Sequence, residues 1–359
     1  MLHFRTEGFN GSAVKYSPFF DNRLAVSASA NFGLVGNGRL YILELTPNGI
    51  VPAKFYTTQD ALYDLAWSEV HENQVLIASG DGSVKLFDSS VNDFPVQAWK
   101  EHNREVFSVH WNLVAKENFC SSSWDGTVKV WSPHRAQSLL TLPTHSCTYS
   151  AAFSPHSPDI LSCVTSDSHI RIFDLRTPAS ASNHLTMQIP IHGTSPVAAP
   201  TKVGAMPPQP AAAAPPSECL THDWNKYRSS VLATAGVDRV VRTFDIRAPQ
   251  HGPIAIMPGH NYAVRKLAWS PHLSSLLLTA SYDMTCRVWN DRCETQADID
   301  PMRMGPTGPV MGEEVGCMSH HKEFVTGVDW CLFGAEGWCG TVGWDESLYV
   351  WDVRAFMKQ

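Results

Sequence analysis

The chain lacks several features that would assign it to a functional class at once. It has no run of about 18 apolar residues, so no membrane-spanning helix is expected. Its first residues lack the apolar stretch of a secretory signal. Its 27 basic residues are outnumbered by 34 acidic ones, for a net charge of −7. A nucleic-acid binder would need a basic face, so we expect none.

Cysteine pairs at redox or metal spacing are also missing. The chain has nine cysteines, and none of them forms a C-x-x-C pair. An odd number of scattered cysteines in a chain of 359 residues indicates reduced thiols in a cytosol-like compartment. The composition, 43% hydrophobic and 17% charged, is that of an ordinary globular protein.

The most informative feature that is present is an internal repeat. A turn residue, usually Asp, precedes an aromatic residue or Leu by six positions, as Asp125 precedes Trp131. The turn recurs at positions 37, 81, 125, 167, 238, 283 and 345, in steps of 44, 44, 42, 71, 45 and 62 residues. A step of about 40–45 residues that ends in an aromatic residue and Asp is the signature of the WD40 repeat.

Seven such repeats predict an all-β, seven-bladed WD40 β-propeller. Each repeat holds short alternating runs separated by Asp-Gly turns, which is typical of antiparallel strands joined by hairpins. Only eight residues follow Trp351, too few for another strand and its turn. We therefore expect residues 2–6 to complete the last blade and to remove its exposed edge.

Two long steps interrupt the period inside what we interpret as one propeller domain, residues 1–359. Residues 194–217 are rich in Pro and Ala, and a disordered insertion is predicted there. Residues 295–318, before the last blade, contain several Pro and Gly and predict a similar insertion.

A histidine about 23 residues before the turn Asp suggests two interpretations. Histidine, serine and aspartate together could form a hydrolase triad. We prefer a buried hydrogen-bond network that fixes the loops, because the set repeats around the ring. Complete sets are predicted in two blades: His102, Ser123, Asp125 and Trp131, and His260, Ser281, Asp283 and Trp289. The adjacent His320 and His321 lack four-ligand spacing, so no metal site is expected. No cofactor is expected, and since nothing in the sequence singles out a polar cluster in the central channel, no enzymatic activity is expected either.

The remaining functional candidates lie at one rim of the predicted ring. The positions just before the turn Asp and those leading into each inner strand should share one face. Large aromatic residues and carboxylates at these positions predict a groove for an amphipathic, partly basic peptide. The predicted peptide-binding residues are Asp60, Arg104, Glu105, Trp124, Glu218, Tyr262, Tyr282, Glu323 and Trp344.

The same segments resemble a known family. Residues 101–112 and 121–131 resemble the third blade of the peroxisomal receptor for the type 2 targeting signal. Residues 259–272 and 280–290 resemble its sixth blade, and residues 320–324 and 343–347 its seventh. The similarity extends along the chain apart from the two insertions. Ser123-Trp124-Asp125 is among its more specific strings because it includes a surface position.

The resemblance implies an import receptor that moves between the cytoplasm and the peroxisome. Such a receptor binds an N-terminal nonapeptide of its cargo, with a basic-apolar start and a His-apolar end. It acts with a co-receptor peroxin and a peroxisomal docking complex. The resemblance assigns an acidic groove to the entrance loops, and it transfers most firmly to Asp60 and Glu105.

A second function stays open at this point. The sequences ending in Arg176, Arg247 and Arg354 resemble the aromatic-Asp-x-Arg box of substrate adaptors in cullin-type ubiquitin ligases. In an adaptor these arginines would bind the partner. The alternative is that each arginine only forms a local ion pair with the aspartate two residues before it.

Overall fold

The computed structural model describes residues 1–91, 94–177, 184–191, 217–293, 308–334 and 336–357. Within them the chain forms 29 β-strands and three short 3-10 helices, at Ala30–Gly33, Pro249–His251 and Val353–Ala355. The strands assemble into seven sheets of at least four strands. The predicted insertion at 194–217 lies outside the described residues apart from Ser217.

Each sheet is a blade whose strands follow one another from the central channel outward. The strands of blades one to four are β2 (Asn10–Tyr16), β3 (Arg23–Ser29), β4 (Gly38–Thr46) and β5 (Gly49–Thr58); β6 (Leu62–Trp67), β7 (Gln74–Ser79), β8 (Val84–Asp88) and β9 (Gln97–Trp99); β10 (Val106–Trp111), β11 (Phe119–Ser123), β12 (Thr127–Trp131) and β13 (Leu140–Pro143); β14 (Thr148–Phe153), β15 (Ile160–Thr165), β16 (His169–Asp174) and β17 (Leu185–Pro190).

The remaining blades follow the same order. Their strands are β18 (Cys219–Trp224), β19 (Val231–Gly236), β20 (Val240–Asp245) and β21 (Ala255–Pro258), with β25 (Val310–Met311) added outside; β22 (Val264–Trp269), β23 (Leu276–Ser281), β24 (Cys286–Asn290) and β26 (Glu313–Met318); and β27 (Val325–Trp330), β28 (Trp338–Gly343), β29 (Ser347–Asp352) and β1 (Leu2–Arg5).

The core is divided among the blade interfaces. Seven buried apolar clusters are found, and each combines residues of two neighbouring blades, including the pair formed by the last blade and the first. Trp99 of blade two and Trp131 of blade three, for example, share one cluster. A single sheet could not cover both of its faces, and the neighbouring sheet does so at every interface. The predicted all-β, seven-bladed propeller is confirmed.

The ring closes through the chain's own N-terminal strand. β1 runs antiparallel to β29, with Leu2 opposite Val350 and Arg5 opposite Ser347. The outer position of the last blade is therefore filled by the first strand of the chain. This confirms the predicted closure, which covers an edge that would otherwise be free for pairing with another chain.

The prediction of an insertion at 295–318 is wrong for the second half of that segment. Residues 295–307 lie outside the described residues, but Glu313–Met318 form β26, the outer strand of blade six. Val310–Met311 pair in parallel with β21 and so link blade five to blade six. The sequence signal is weak because an outer strand buries only part of one face, which leaves β26 with little alternation between apolar and polar residues.

Candidate functional site

Connectivity places two kinds of loop on one face of the ring. Strand direction alternates within a blade, so the turn between the second and third strands meets the loop that enters the inner strand of the same blade. Backbone hydrogen bonds join the two loop types, as from Trp124 N to Glu105 O (3.2 Å) and from Trp344 N to Phe324 O (2.8 Å). We call this surface the entry face. All nine predicted peptide-binding residues stand in these loops.

One group of these residues joins an aromatic floor at the channel mouth. The ring of Phe107 stacks on Trp124 on one side and on Tyr63 on the other, at centroid distances of 4.5 and 4.6 Å. Tyr149 contacts both Phe107 and Trp124 edge-on. The indole N–H of Trp124 has no acceptor among the described residues. We call Tyr63, Phe107, Trp124 and Tyr149 the floor cluster.

Three members of the floor cluster were not predicted from the sequence. Tyr63, Phe107 and Tyr149 each lie one residue inside an inner strand, where the register with the second strand shifts. Such a bulge occurs in every blade, one residue further along the inner strand in blade one than in the other six, and it redirects the side chain of the extra residue. The available signal was a large side chain at the second position of successive inner strands.

A second aromatic group lies on the other side of the channel. The ring of Tyr282 stacks on Phe324 at 4.7 Å, and both contact Trp344. Phe32 contacts Trp344 at 5.3 Å from a turn of blade one whose backbone is left-handed at Asn31 and Phe32.

The predicted residue Tyr262 joins neither group. Its side chain is 63% exposed, and no ring contact is found for it within the described part of the chain. The predicted position of Tyr262, just before an inner strand, is correct. The aromatic side chains of blades six and seven that contact one another are Tyr282, Phe324 and Trp344.

Carboxylates surround the floor cluster. Burial, followed by the negative charges of Glu105 and Asp60, raises the pKa of Tyr63 above its usual value. Glu218 accepts a hydrogen bond of 3.1 Å from the hydroxyl of Tyr149, whose pKa is raised first by burial and then by that carboxylate. The floor cluster is therefore an apolar surface in a negative field.

Arg104 and Glu323 differ from the other predicted charged residues. The guanidinium of Arg104 lies 3.6 Å from the carboxylate of Glu105 and also over the ring of Trp124. Arg104 therefore neutralises part of the acidic rim in the absence of a ligand. Glu323 is exposed beside Phe324, on the far side of the channel mouth.

The histidines form the predicted buried networks, but with a different hydroxyl. His102 binds Asp125 through Nδ1 at 2.9 Å and Ser121 through Nε2 at 2.8 Å. The indole of Trp131 donates to the same Ser121. The prediction of Ser123 was wrong: its hydroxyl donates to the carbonyl of Arg104 and accepts from the backbone of Asp125.

Blade six repeats this arrangement and blade seven adds a third copy. His260 binds Asp283 and Thr279, and Trp289 donates to Thr279, so Thr279 replaces the predicted Ser281. In blade seven the members are His321, Asp345, Thr341 and Trp351. In each blade the hydroxyl group belongs to a residue in the middle of the second strand. Ser123 and Ser281 lie two residues further along, at the end of that strand, and their hydroxyl groups bond loop carbonyls instead.

These networks have the chemistry of structural supports. Asp125 accepts hydrogen bonds from His102, from the backbone of Asn103 and from both donors of Thr127. Burial alone would raise the pKa of Asp125, but these hydrogen bonds hold it far below the usual value. A carboxylate so fully bonded leaves no free acceptor for a substrate.

The opposite face carries the arginines of the alternative function. Arg176 bonds Asp174 through two nitrogens, at 2.9 and 2.6 Å, and Arg247 and Arg354 bond Asp245 and Asp352 in the same way. All three arginines follow a third strand, at the end of the ring away from the entry face. Local pairing thus accounts for the Asp-x-Arg pattern.

The central channel holds a cavity of about 220 Å³ at that opposite end. Its lining includes an ion pair of 3.0 Å between Lys266 of blade six and Asp64 of blade two, which spans the channel. Among the described residues no cluster of three or more side chains could hold a metal ion. None of their helices is long and apolar enough to cross a membrane.

Comparison with known proteins identifies the class of this chain. The family model "WD domain, G-beta repeat" matches residues 94–132, 136–174 and 252–290. With seven blades and a rim of aromatic and acidic side chains, the chain is a WD40-repeat propeller of the non-enzymatic receptor class.

Its relatives define the family within that class. The peroxisomal targeting signal 2 receptor of Saccharomyces cerevisiae is 40% identical over 98% of this chain and 99% of its own length. The receptor of the same name from Schizosaccharomyces pombe is 34% identical over 98% of this chain and all of its own length. Peroxisome biogenesis protein 7 of Arabidopsis thaliana is 38% identical over 96% of this chain and 95% of its own. The chain belongs to the peroxisomal targeting signal 2 receptor family, as the resemblance predicted.

Proposed function

We propose that this chain binds the type 2 peroxisomal targeting signal of cargo proteins on its entry face and, with a co-receptor, delivers them for import. The observation that carries this proposal is the floor cluster with Asp60 and Glu105 at its edge. An apolar surface bordered by carboxylates suits a ligand that is apolar on one face and basic at one end.

The size of the floor cluster suits a nonapeptide helix. A helix rises 1.5 Å per residue, so the first and ninth residues lie about 12 Å apart. The first, second, eighth and ninth positions fall on one helical face. The floor cluster joins rings from blades two, three and four by successive contacts of 4.5 to 6.0 Å. Phe107 contacts each of the other three rings, and its two longest contacts, 4.6 Å to Tyr63 and 5.8 Å to Tyr149, limit the distance between those two ring centres to about two helical turns.

The charged groups then have distinct roles. Asp60 and Glu105 receive the leading Arg or Lys of the signal, and a bidentate contact would orient an arginine. Arg104 must release Glu105 when this happens, since the two are paired in the free chain. Glu218 and Tyr149 extend the polar edge toward blade four, and Tyr282, Trp344, Tyr262 and Glu323 offer contacts on the far side.

A co-receptor needs apolar surface beside the bound helix. Leu34 and Val35 are 83% and 74% exposed at the tip of the blade-one turn, next to Phe32 and Trp344. We assign these side chains to the co-receptor peroxin, which would close over the bound signal. Transfer to the peroxisomal docking complex and movement between cytoplasm and peroxisome follow from such a role.

A charge-reversal experiment tests the proposed site. Asp60→Lys with Glu105→Lys should reduce binding of a labelled Arg-Leu, five-alanine, His-Leu peptide at least about 100-fold, as about 3 kcal/mol implies. Fluorescence anisotropy measures binding, and thermal unfolding should stay unchanged. Glu72→Lys with Glu117→Lys is the matched control, because both residues are exposed on the opposite face. Equal binding by the two double variants would contradict the site.

A further inference from the structure

Arg265 is the residue of the entry face that the proposed function does not yet use. It occupies the bulge of β22 in blade six, the same position that Phe107 occupies in blade three. Its half-buried side chain reaches across the channel mouth, and the guanidinium carbon lies 5.8 Å from the centre of the Phe107 ring. The bulge therefore directs a cation onto the floor cluster.

The guanidinium of Arg265 has no polar partner in the described part of the chain. It makes neither a hydrogen bond nor an ion pair there, although Lys266, the next residue, is paired with Asp64. A guanidinium carries five N–H donors, and partly burying them without acceptors costs free energy. Most other arginines of the structure bind a nearby carboxylate, among them Arg176, Arg228 and Arg287. The free donors of Arg265 are available for acceptors that a ligand supplies.

Charges of both signs therefore meet at the floor cluster. Asp60 of blade two and Glu105 of blade three raise the pKa of Tyr63, and Arg265 of blade six lowers it. Arg265 also opposes the increase in the pKa of Tyr149 that Glu218 causes. The floor has a negative edge toward Asp60 and Glu105 and a positive centre at Arg265.

A short helix has a matching polarity. Its last four carbonyl groups have no intrahelical donor, and its C-terminal end carries a partial negative charge. Its N-terminal end carries the opposite partial charge, and in the proposed ligand a basic side chain adds to it. The favourable orientation thus places the basic start over Asp60 and Glu105 and the last turn near Arg265.

We propose that Arg265 binds the free carbonyl oxygens at the C-terminal end of the cargo helix and so fixes the direction in which the signal lies on the floor cluster. This proposal rests on the proposed function, since it concerns the same ligand. Arg265 is thus a specificity-determining residue that requires a helix ending in free acceptors. The alternative is that Arg265 only repels basic ligands, in which case removing it would tighten binding.

The test compares two nonapeptides of sequence Arg-Leu, five alanines, His-Leu, one ending in a free carboxylate and the other in an amide. The carboxylate adds charge where we place Arg265. Wild-type protein should prefer the carboxylate form by about tenfold, as expected for one hydrogen bond to a charged group. Arg265→Met keeps an apolar stem on Phe107 and should lose this preference and weaken binding of both peptides. Arg265→Lys should retain part of the preference, because it keeps the charge but loses the planar fork.

Arg239→Met is the matched control. Arg239 is exposed on the same face, and its guanidinium donates to the carbonyl of Asn261. This variant loses the same charge and should keep the wild-type preference for the carboxylate. An equal loss in both variants, or tighter binding by Arg265→Met, would overturn the role of Arg265. Failure of the wild-type protein to bind either peptide would instead refute the proposed function.

Discussion

Two sets of carboxylates lie in neighbouring loops of the entry face and differ in what they bind. Asp125 and Asp283 follow the second strands and are saturated by hydrogen bonds from histidine, threonine and backbone donors. Asp60 and Glu105 precede inner strands and have few partners: Asp60 accepts from the backbone of Ala61, and Glu105 faces Arg104.

The difference separates stability from binding. A saturated buried carboxylate contributes to folding and leaves no capacity for a ligand. A carboxylate with free lone pairs contributes little to folding and keeps its capacity for an incoming cation. The position of a carboxylate within the repeat decides whether it is saturated, because only the turn aspartate contacts the histidine of its own blade.

The largest expected difference, in both stability and peptide binding, is between two variants that each neutralise one carboxylate of one kind. Asp125→Asn should destabilise the fold by about 3 kcal/mol, because one amide cannot accept the four donors that Asp125 serves. The folded fraction should bind the peptide as wild type does. Asp60→Asn should leave urea unfolding within about 0.5 kcal/mol and weaken peptide binding about tenfold. Similar unfolding curves for both variants would break the comparison.

A pH dependence of stability should come from a buried histidine. Burial lowers the pKa of His222 to about 4, and its Nε2 lies 2.8 Å from the hydroxyl of Ser162. The unfolded chain takes up this proton near pH 6.5, so stability present above that pH is lost as the pH falls toward 4. We expect a loss of about 2 kcal/mol at pH 5.

Urea unfolding of wild type and His222→Gln at pH 7 and pH 5 measures this loss. The variant has no imidazole at this position, so its stability should fall less between the two values. Parallel losses in both proteins would show that another group carries the dependence. His110, whose burial lowers its pKa to about 3, would then be the next histidine to replace.

A smaller difference should separate two serines of one strand. Ser121→Ala removes the shared partner of His102 and Trp131 and should cost about 2 kcal/mol. Ser123→Ala removes a loop hydrogen bond to the Arg104 carbonyl and should cost about 1 kcal/mol. Thermal unfolding of the two variants measures the difference. The reverse order would return Ser123 to the network that the sequence pattern predicted.

The smallest effect is expected on the opposite face. Arg176→Ala breaks an exposed ion pair with Asp174 and should leave the urea unfolding midpoint indistinguishable from that of wild type. Peptide binding should not change, since Arg176 is remote from the entry face. Loss of peptide binding in this variant would show that the ligand site is not confined to the entry face.

The repeat determined the architecture because blade formation is local. The turn aspartate, the aromatic residue six positions later and the step of about 44 residues each report short-range strand pairing. The outer strand Glu313–Met318 was missed since its burial is partial and one-sided. Ser121 was missed since the spacing of serines along β11 does not reveal which of them faces His102.

The sequence by itself determined the number of blades, the closure by the first strand, the family and the rim positions of Asp60, Glu105, Trp124 and Tyr282. Each of these depends on residue order within a repeat. Only the tertiary structure brought Tyr63, Phe107, Tyr149 and Arg265 together at the channel mouth. They come from four different blades, and the bulges that direct their side chains arise from pairing between strands, which no single segment encodes.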